Sequence, residues 1–273
     1  GTLTMAAAAS TSPHTPHRRR RPDGRPGGGT LRPLSAEVST LSRPDGSASF
    51  SAGHTRVLAA VYGPAAPRAA SREDPNGAVV TVVWKHGAGT ARKGGGGGEK
   101  GGGGSAHPGY GATERELERF VGDALASCVR LERYPRSVIE VVVQVIRADG
   151  SVLGTAVNAA VMALLDAGIE MNGVPAATTC LVLRSGGGGG DDDLRLDPTS
   201  EEEGAAEAAV SVVVTDNVNE GQVLTTITFG NLKVASLLSC VEGATRAGKA
   251  VVAFMRLAVE QKVTREAQTL WSS

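Results

Sequence analysis

The pattern of apolar and polar positions predicts a β-hairpin near the start of the chain. Ala48 and Phe50 alternate with serines, which is the period of a half-buried strand, and residues 57–62 form an almost continuous apolar run. A short turn at residues 53–55 joins the two segments, so the second strand is expected to lie deep in a sheet. The Gly-Pro pair at 63–64 is expected to end that strand.

Similar patterns predict the remaining elements. Apolar residues recur at helical spacing in residues 113–129, 154–167 and 232–266, and β-branched or alternating runs favour strands elsewhere. Those strands are expected at residues 30–41, 78–85, 137–146, 177–183, 194–196, 208–215 and 223–229. The order predicts the α/β class with mixed sheets, in which one sheet-helix unit is repeated roughly twice.

The last predicted helix has a less regular apolar pattern than the others. Gly243 and Gly248 interrupt it, which indicates either a kink or a close contact between the helix and its neighbour. The side chains expected to form its buried stripe are Leu238, Val241, Val251, Phe254, Met255 and Leu257.

Low-complexity segments divide the 273-residue chain into a tail and one domain. Residues 1–28 have no apolar periodicity and include an arginine run at 18–21, so we expect a disordered basic tail. The run suits a nuclear-localisation patch or a weak RNA-binding arm, and a solvated tail without a specific reader explains it equally well. The folded domain is expected at residues 29–270, with glycine-rich loop insertions at 87–111 and 185–193.

Charge and cysteine content narrow the possible functions. The formal net charge is zero, so any contact with nucleic acid must come from local patches. Cys128, Cys180 and Cys240 lie far apart in the sequence, which suits neither a zinc site nor a disulfide framework and indicates reduced thiols. The aspartates at 191–193 could ligate a divalent cation, but a solvated hairpin tip explains them better. No apolar run is long enough to cross a membrane, and we expect no metal and no cofactor.

Several longer segments resemble a known family. They are RPDGR at 21–25, LRP at 31–33, RPDGSASFSAGHTRVLAAVYGP at 43–64, RADGSVLGTAVNAAVMALLDAG at 147–168 and LDPTSEEEGAAEAAVSVV at 196–213. Together and in this order they are similar to the ribonuclease PH (RNase PH) family, and within it to the ring subunits of the eukaryotic RNA exosome. The resemblance implies an RNase PH-like fold of two βαβα-type halves. It also implies packing with homologous subunits in a six-membered ring around an RNA channel.

The same resemblance implies partners and a location. Other RNase PH-like ring subunits, cap subunits and single-stranded RNA are the expected partners, and the nucleus, nucleolus and cytoplasm are the expected locations. Lys85, Arg92, Lys93 and Lys100 are candidate RNA-binding residues, because they enter the loop where the family exposes basic residues to RNA. Solvated charges on a disordered loop explain the last three at least equally well.

The phosphate site of the family is degenerate in this sequence. Active members attack the 3′ end of RNA with inorganic phosphate, which a Thr-Arg pair holds at the start of the helix after the Asp-Gly turn. The matching positions are Val152 and Leu153, and neither side chain can donate to a phosphate oxygen. A second family arginine corresponds to Thr113. Thr155 alone, near a helix N-terminus, is a poor substitute.

The acidic positions are also changed, and they bear on two alternative functions. Two family aspartates correspond to Glu203 and Ala209, of which Glu203 could still act as an acid and Ala209 cannot. The sequence therefore favours a structural, catalytically inactive ring subunit that supports 3′-to-5′ RNA processing and degradation, including rRNA maturation. The alternative is a homo-oligomeric, phosphate-dependent 3′-to-5′ exoribonuclease with a reorganised site built on Thr155 and Glu203. A small-molecule-binding α/β domain would leave the joint motif matches unexplained.

Overall fold

The computed structural model describes residues 2–5, 21–67, 73–86, 113–183, 193–216 and 222–272. These residues form ten strands, four α-helices and a 3₁₀ turn at Leu131–Arg133. The strands are β1 (Leu3–Met5), β2 (Leu34–Val38), β3 (Gly46–Ala52), β4 (Thr55–Ala65), β5 (Ala78–His86), β6 (Ser137–Arg147), β7 (Pro175–Leu183), β8 (Asp193–Leu196), β9 (Ala208–Thr215) and β10 (Gln222–Gly230). The helices are α1 (Glu114–Ala126), α2 (Val152–Asp166), α3 (Ser200–Gly204) and α4 (Val234–Ser272).

Two sheets and the helices packed on them make up the fold. The first sheet has the strand order β1-β2-β3-β4-β6-β5, and among the described strands β5 and β6 form its one parallel pair. The second sheet is antiparallel, with the order β10-β9-β7-β8. Helix α2 contacts β3 and β4 on one side and β7 on the other, so residues 152–164 are all buried. Helix α4 lies on β7 and β9. The mixed α/β class predicted from the sequence is confirmed.

The hairpin of β3 and β4 lies within the first sheet. Phe50 pairs with Val57 across it, and both side chains are buried. The prediction that the Gly-Pro pair would end the second strand was wrong, because β4 continues to Ala65, which pairs with Val138 past a register irregularity. Gly63 makes this irregularity possible. It has a φ of +111°, and a Cβ there would lie 2.4 Å from the carbonyl oxygen of Val138.

Two segments of the expected tail belong to the folded domain. Leu3–Met5 pairs with β2 as an edge strand, and residues 21–28 run beside β8, from which Gly28 accepts a hydrogen bond. Arg21 is only 3% exposed, because its charge is paired with a buried carboxylate. The expectation of a disordered tail therefore needs correction for these two segments. Because Arg21 is buried, it cannot be part of a solvent-exposed run of arginines. Residues 6–20, with the other arginines of that run, lie outside the described residues.

The glycine-rich insertions expected at 87–111 and 185–193 fall almost entirely outside the described residues. The exception is Asp193, the first residue of β8. Its carboxylate pairs with Arg195 at 3.0 Å, so one of the three adjacent aspartates has a cationic partner in the structure.

Helix α4 is longer than predicted and buries a different stripe. Its 39 residues extend over about 58 Å. Phe254 and Met255 are buried as expected, but Leu238 and Leu257 are 64% and 43% exposed, so that part of the prediction was wrong. No helix in the described part of the chain combines the length and the apolar run that crossing a membrane requires.

Small residues form the contact between α4 and the second sheet. This explains why Leu238 and Leu257 are exposed although they were predicted to be buried. Cys240, Ala244 and Ala247 are buried together with the apolar side chains of β7 and β9. Gly248 comes closer still, since a Cβ there would lie 2.2 Å from Cγ2 of Val214. This glycine therefore marks a close contact, and α4 passes through it as one continuous helix. Leu238 and Leu257 lie outside this row of small residues, and their side chains are exposed to solvent.

Candidate functional site: a degenerate phosphate site

The Asp-Gly turn before α2 is held from several sides. Arg32 donates to the carbonyl oxygens of Asp149 (2.5 Å) and Gly150 (3.2 Å), and Thr55 Oγ1 donates to the same Gly150 oxygen at 2.6 Å. Gly150 has a φ of +75°, and a Cβ there would lie 2.4 Å from the carbonyl oxygen of Pro198. The turn that leads into the expected phosphate site is therefore fixed in place, and position 150 requires glycine.

A carboxylate of the chain itself occupies the N-terminus of α2. Ser151, the residue before the helix, has a φ of 51°, and its hydroxyl does not cap the helix. Instead, the backbone N–H of Ser151 donates to Oε1 of Glu203 in α3 at 2.7 Å. The N–H groups and the dipole at a helix N-terminus favour a negative charge there. Glu203 supplies that charge from within the protein.

The side chains expected at the phosphate position are not available to an anion. Val152 and Leu153 are both 1% exposed and belong to the main core. Thr155 is also buried, and its Oγ1 donates to the carbonyl oxygen of Ser151 at 2.8 Å. The structure therefore brings these candidates together with Glu203 at the start of α2, without a cationic group among them.

Thr113 and Ala209, the other two candidates, lie on other elements. Thr113 is the N-cap of α1 and forms a reciprocal capping box with Glu116, so its hydroxyl serves its own helix. Ala209 is buried in β9, opposite Leu181 of β7 and Phe229 of β10. Its methyl group packs in the sheet and offers no acid.

The cavity next to the start of α2 is small. Its volume is about 20 Å³, and its lining includes Ser151, Thr155, Thr178 and Asp197. This is room for about one water molecule and is too little for a phosphate ion. Among the residues that the structure describes, this cavity therefore offers no substitute anion pocket.

A buried network of arginines and carboxylates lies beside this site, and sequence reasoning missed it. Arg21 forms a bidentate ion pair with Glu202, with Nε–Oε1 at 2.8 Å and Nη2–Oε2 at 2.6 Å. Arg195 Nη1 donates to Oε1 of the same carboxylate at 2.9 Å. Arg32 donates to Asp197 from Nη2 at 2.7 Å and from its backbone N–H at 2.8 Å.

Arg25 completes the network by donating to the carbonyl oxygens of Thr30 (2.8 Å) and Asp197 (2.9 Å). Arg21, Arg25 and Arg32 each directly precede a proline, which restricts the backbone of the arginine. This was the available sequence signal that the segment is ordered. The network attaches the N-terminal segment to β8 and α3 and, through Arg32, to the Asp-Gly turn.

The arginines determine the ionisation of the buried carboxylates. Burial alone would raise the pKa of Asp197, but the charge and hydrogen bonds of Arg32 hold it below its usual value. Burial also opposes ionisation of Glu202, yet hydrogen bonds from Arg21, the Thr199 backbone and Arg195 lower its pKa to about 2. Both carboxylates are therefore charged in the folded protein at neutral pH.

The candidate RNA-binding residues are separate from this site. Lys85 is exposed near the end of β5, where it is paired in register with Gln144 of β6. Arg92, Lys93 and Lys100 lie outside the described residues. Within the described ranges, no group of three or more His, Cys, Asp or Glu side chains is arranged to hold a metal ion.

Comparison with known proteins identifies the family. The 3′ exoribonuclease family (RNase PH), domain 1, matches residues 30–170. The chain is 33% identical to the exosome complex exonuclease RRP46 homolog of Arabidopsis thaliana, over 86% of this chain and 94% of that protein. It is 30% identical to the RRP46 homolog of Oryza sativa subsp. japonica, over 89% of this chain and 96% of that protein. The crystal structure of rice Rrp46 matches with a TM-score of 0.72 and 32% identity, covering 88% of this chain and 100% of that chain.

The chain therefore belongs to the RNase PH family, and its two sheets with their helices form an RNase PH-like fold. Within the family it is similar to the plant RRP46 proteins over most of both chains. The resemblance drawn from the hairpin, the α2 segment and the α3 segment is confirmed.

Replacing Glu202 by Gln should destabilise the fold in a pH-dependent way. The folded pKa of about 2 lies below the reference value of 4.5, so the charge stabilises the fold fully above about pH 4.5 and loses this effect as the pH falls toward 2. We expect Glu202→Gln to lower the free energy of unfolding by about 3 kcal/mol at neutral pH, with a smaller deficit in acid. Urea unfolding at a series of pH values measures both.

Glu201→Gln is the matched control, because Glu201 is the exposed neighbour in the same helix. Its free energy of unfolding should stay within about 0.5 kcal/mol of the unmodified chain. An equal cost for the two variants, or a deficit in Glu202→Gln that does not change with pH, would contradict the role assigned to the buried pair.

Proposed function

We propose that this chain is a structural subunit of the core ring of an RNA exosome. In this role it supports 3′-to-5′ RNA processing and degradation, including rRNA maturation, without phosphorolysis of its own. Membership of the RNase PH family supports the fold expected of a ring subunit. Similarity to plant proteins that are named as exosome proteins supports assembly into an exosome. The proposed partners are other RNase PH-like ring subunits and cap subunits.

The start of α2 is the observation on which the loss of phosphorolysis rests. An attacking phosphate is an anion and needs fixed cationic donors. The most effective donor is an arginine that binds the phosphate through two hydrogen bonds. At the matching positions Val152 and Leu153 are core residues, and Glu203 already accepts the hydrogen bond of Ser151 N. A phosphate arriving there would meet the Glu203 carboxylate without a cationic side chain at position 152 or 153. Repulsion and uncompensated desolvation both oppose its binding.

A retained enzymatic activity is the second candidate function. The names of the two plant relatives include the word exonuclease, which favours it. The enzyme would be a homo-oligomeric, phosphate-dependent exoribonuclease that uses Thr155 and Glu203. Because Thr155 is buried and already donates to the carbonyl of Ser151, this site would require a rearrangement of the first turn of α2.

The proposed ring function includes a path for single-stranded RNA. Because the net charge of the chain is zero, that path requires local positive charge. We assign Lys85 to it on the basis of its exposure, and the same assignment extends to Arg92, Lys93 and Lys100. The proposed locations are the nucleus, the nucleolus and the cytoplasm, where RNA is processed and turned over.

Affinity purification of the full-length chain from its native cells tests the ring assignment. We expect mass spectrometry to find several distinct RNase PH-like proteins in near-equal amounts, together with cap proteins. Recovery of the chain alone, or only with further copies of itself, would contradict the assignment.

Phosphorolysis is tested by incubating the purified chain with labelled single-stranded RNA and inorganic phosphate. We expect no release of nucleoside diphosphates above the level seen without phosphate. Glu203→Gln should be equally inactive, because it removes the carboxylate charge without adding a cationic donor. Phosphate-dependent release by the unmodified chain, lost in Thr155→Val and in Glu203→Gln, would establish the second candidate function instead.

Lys85→Glu tests the RNA path in the assembled ring. It should weaken binding of single-stranded RNA by roughly fivefold at low salt, and the difference should fade as salt rises. Lys249→Glu, at an exposed position of α4, changes the net charge equally and should have little effect. Equal affinity of the Lys85→Glu ring and the unmodified ring at low salt would remove Lys85 from the path.

A further inference from the structure

One edge of the first sheet borders a groove. Strand β5 is the last strand in the order of that sheet, with β6 on one side and no further strand of the described chain on the other. Helix α1 packs along β5, and the two elements border a groove of about 590 Å³. Its lining includes Val80, Val82, Arg115, Gly122, Ala126 and Glu140. It shares no residue with the small cavity beside the start of α2.

The backbone of β5 has hydrogen-bonding groups at this edge. The N–H of Trp84 donates to Oε1 of Glu118 on α1 at 2.9 Å, so alternate N–H groups of β5 point away from β6. Val80 and Val82 have the same orientation as Trp84, and no other described strand pairs with them on that side. An open strand edge of this kind binds an extended peptide, which continues the sheet through main-chain hydrogen bonds.

Small residues on α1 leave room for such a peptide. Gly122 has no side chain, and a Cβ there would lie 3.7 Å from Cγ2 of Val82, which is ordinary contact. Ala126 lies one turn further along the same side of the helix. The groove therefore has an apolar floor that accommodates small, β-branched side chains, and its volume is in the range of ligand sites.

The groove also has two charges without an ionic partner among the described residues, Arg115 and Glu140. Arg119 differs, because it pairs with Asp123 at 3.7 Å. Helix α1 runs antiparallel to β5, so Arg115 lies toward the end of the strand. Glu140 is nearer the start, since it is in register with Thr81. The positive and negative ends of the groove therefore favour one direction of a bound segment.

We propose that this groove binds an extended segment of a partner protein, which adds to β5 as a further antiparallel strand. The segment has an acidic residue beside Arg115, a basic residue beside Glu140, and small β-branched residues over the floor. Main-chain hydrogen bonds to the edge of β5 hold the segment, and the two charges set its direction. The groove is thus a peptide-binding site that goes beyond the proposed structural role in the ring.

The test uses the full-length chain and the fluorescein-labelled peptide Thr-Asp-Thr-Val-Lys-Val-Thr, with binding measured by fluorescence anisotropy. In the antiparallel register its Asp lies opposite Trp84 and its Lys opposite Thr81. We expect saturable binding, weakened by roughly tenfold when the Asp and the Lys are exchanged. Methylation of the peptide nitrogens that face β5 should abolish binding, because it removes the donors to the strand edge.

Variants at Gly122 and at the two charges test the position of the peptide. Gly122→Gln fills the groove and should weaken binding by roughly tenfold, whereas Gly122→Ala adds one methyl group and should stay within about twofold. The double variant Arg115→Glu with Glu140→Lys should prefer the peptide with exchanged charges. Circular dichroism verifies that each variant is folded.

Four results would overturn the proposal. The first is absence of saturable binding to the unmodified chain, and the second is equal binding of the methylated peptide. The third is an equal loss of affinity in Gly122→Gln and Gly122→Ala. The fourth is another occupant of the groove. Sedimentation would reveal a second copy as a dimer that Gly122→Gln dissociates, and loss of peptide binding in the complex purified from native cells would reveal a neighbouring subunit.

Discussion

The buried ion pair between Arg32 and Asp197 connects three parts of the chain that are distant in the sequence. Arg32 also holds the carbonyls of the Asp149-Gly150 turn, and Asp197 adopts a left-handed φ of 49° between β8 and α3. A buried charge is stable only with its partner in place, so order in one segment requires order in the others. The N-terminal segment, the turn before α2 and the start of α3 therefore form one cooperative unit.

Under the proposed function, this unit keeps the scaffold of a phosphate site while the chemistry of the site is lost. The scaffold depends on backbone carbonyls, on Gly150 and on Arg32, which holds the Asp-Gly turn. In the proposed correspondence with the family, the chemistry depends on two side chains at the start of α2, where this chain has Val152 and Leu153 in the core. The proposed structural role needs the first set and places no demand on the second.

Local sequence patterns were sufficient for elements whose signals are local. Alternation and an apolar run located β3 and β4, and the helical spacing of apolar residues located α1 and α2. The failures share a cause, since periodicity reports which side of an element is apolar and not what covers it. Leu238 was assigned to the core because nothing in the sequence shows that small residues face the sheet. Arg21 was assigned to a tail because its partner, Glu202, is remote in the sequence.

The contact between Glu203 and Ser151 places a tethered anion in competition with any phosphate from solution. Because α3 is packed against the Asp-Gly turn, the carboxylate is present at this N–H at an effective concentration on the order of millimolar or higher. Free phosphate must match that concentration before it gains a single hydrogen bond. The tether therefore keeps dilute anions of the solvent from this N–H.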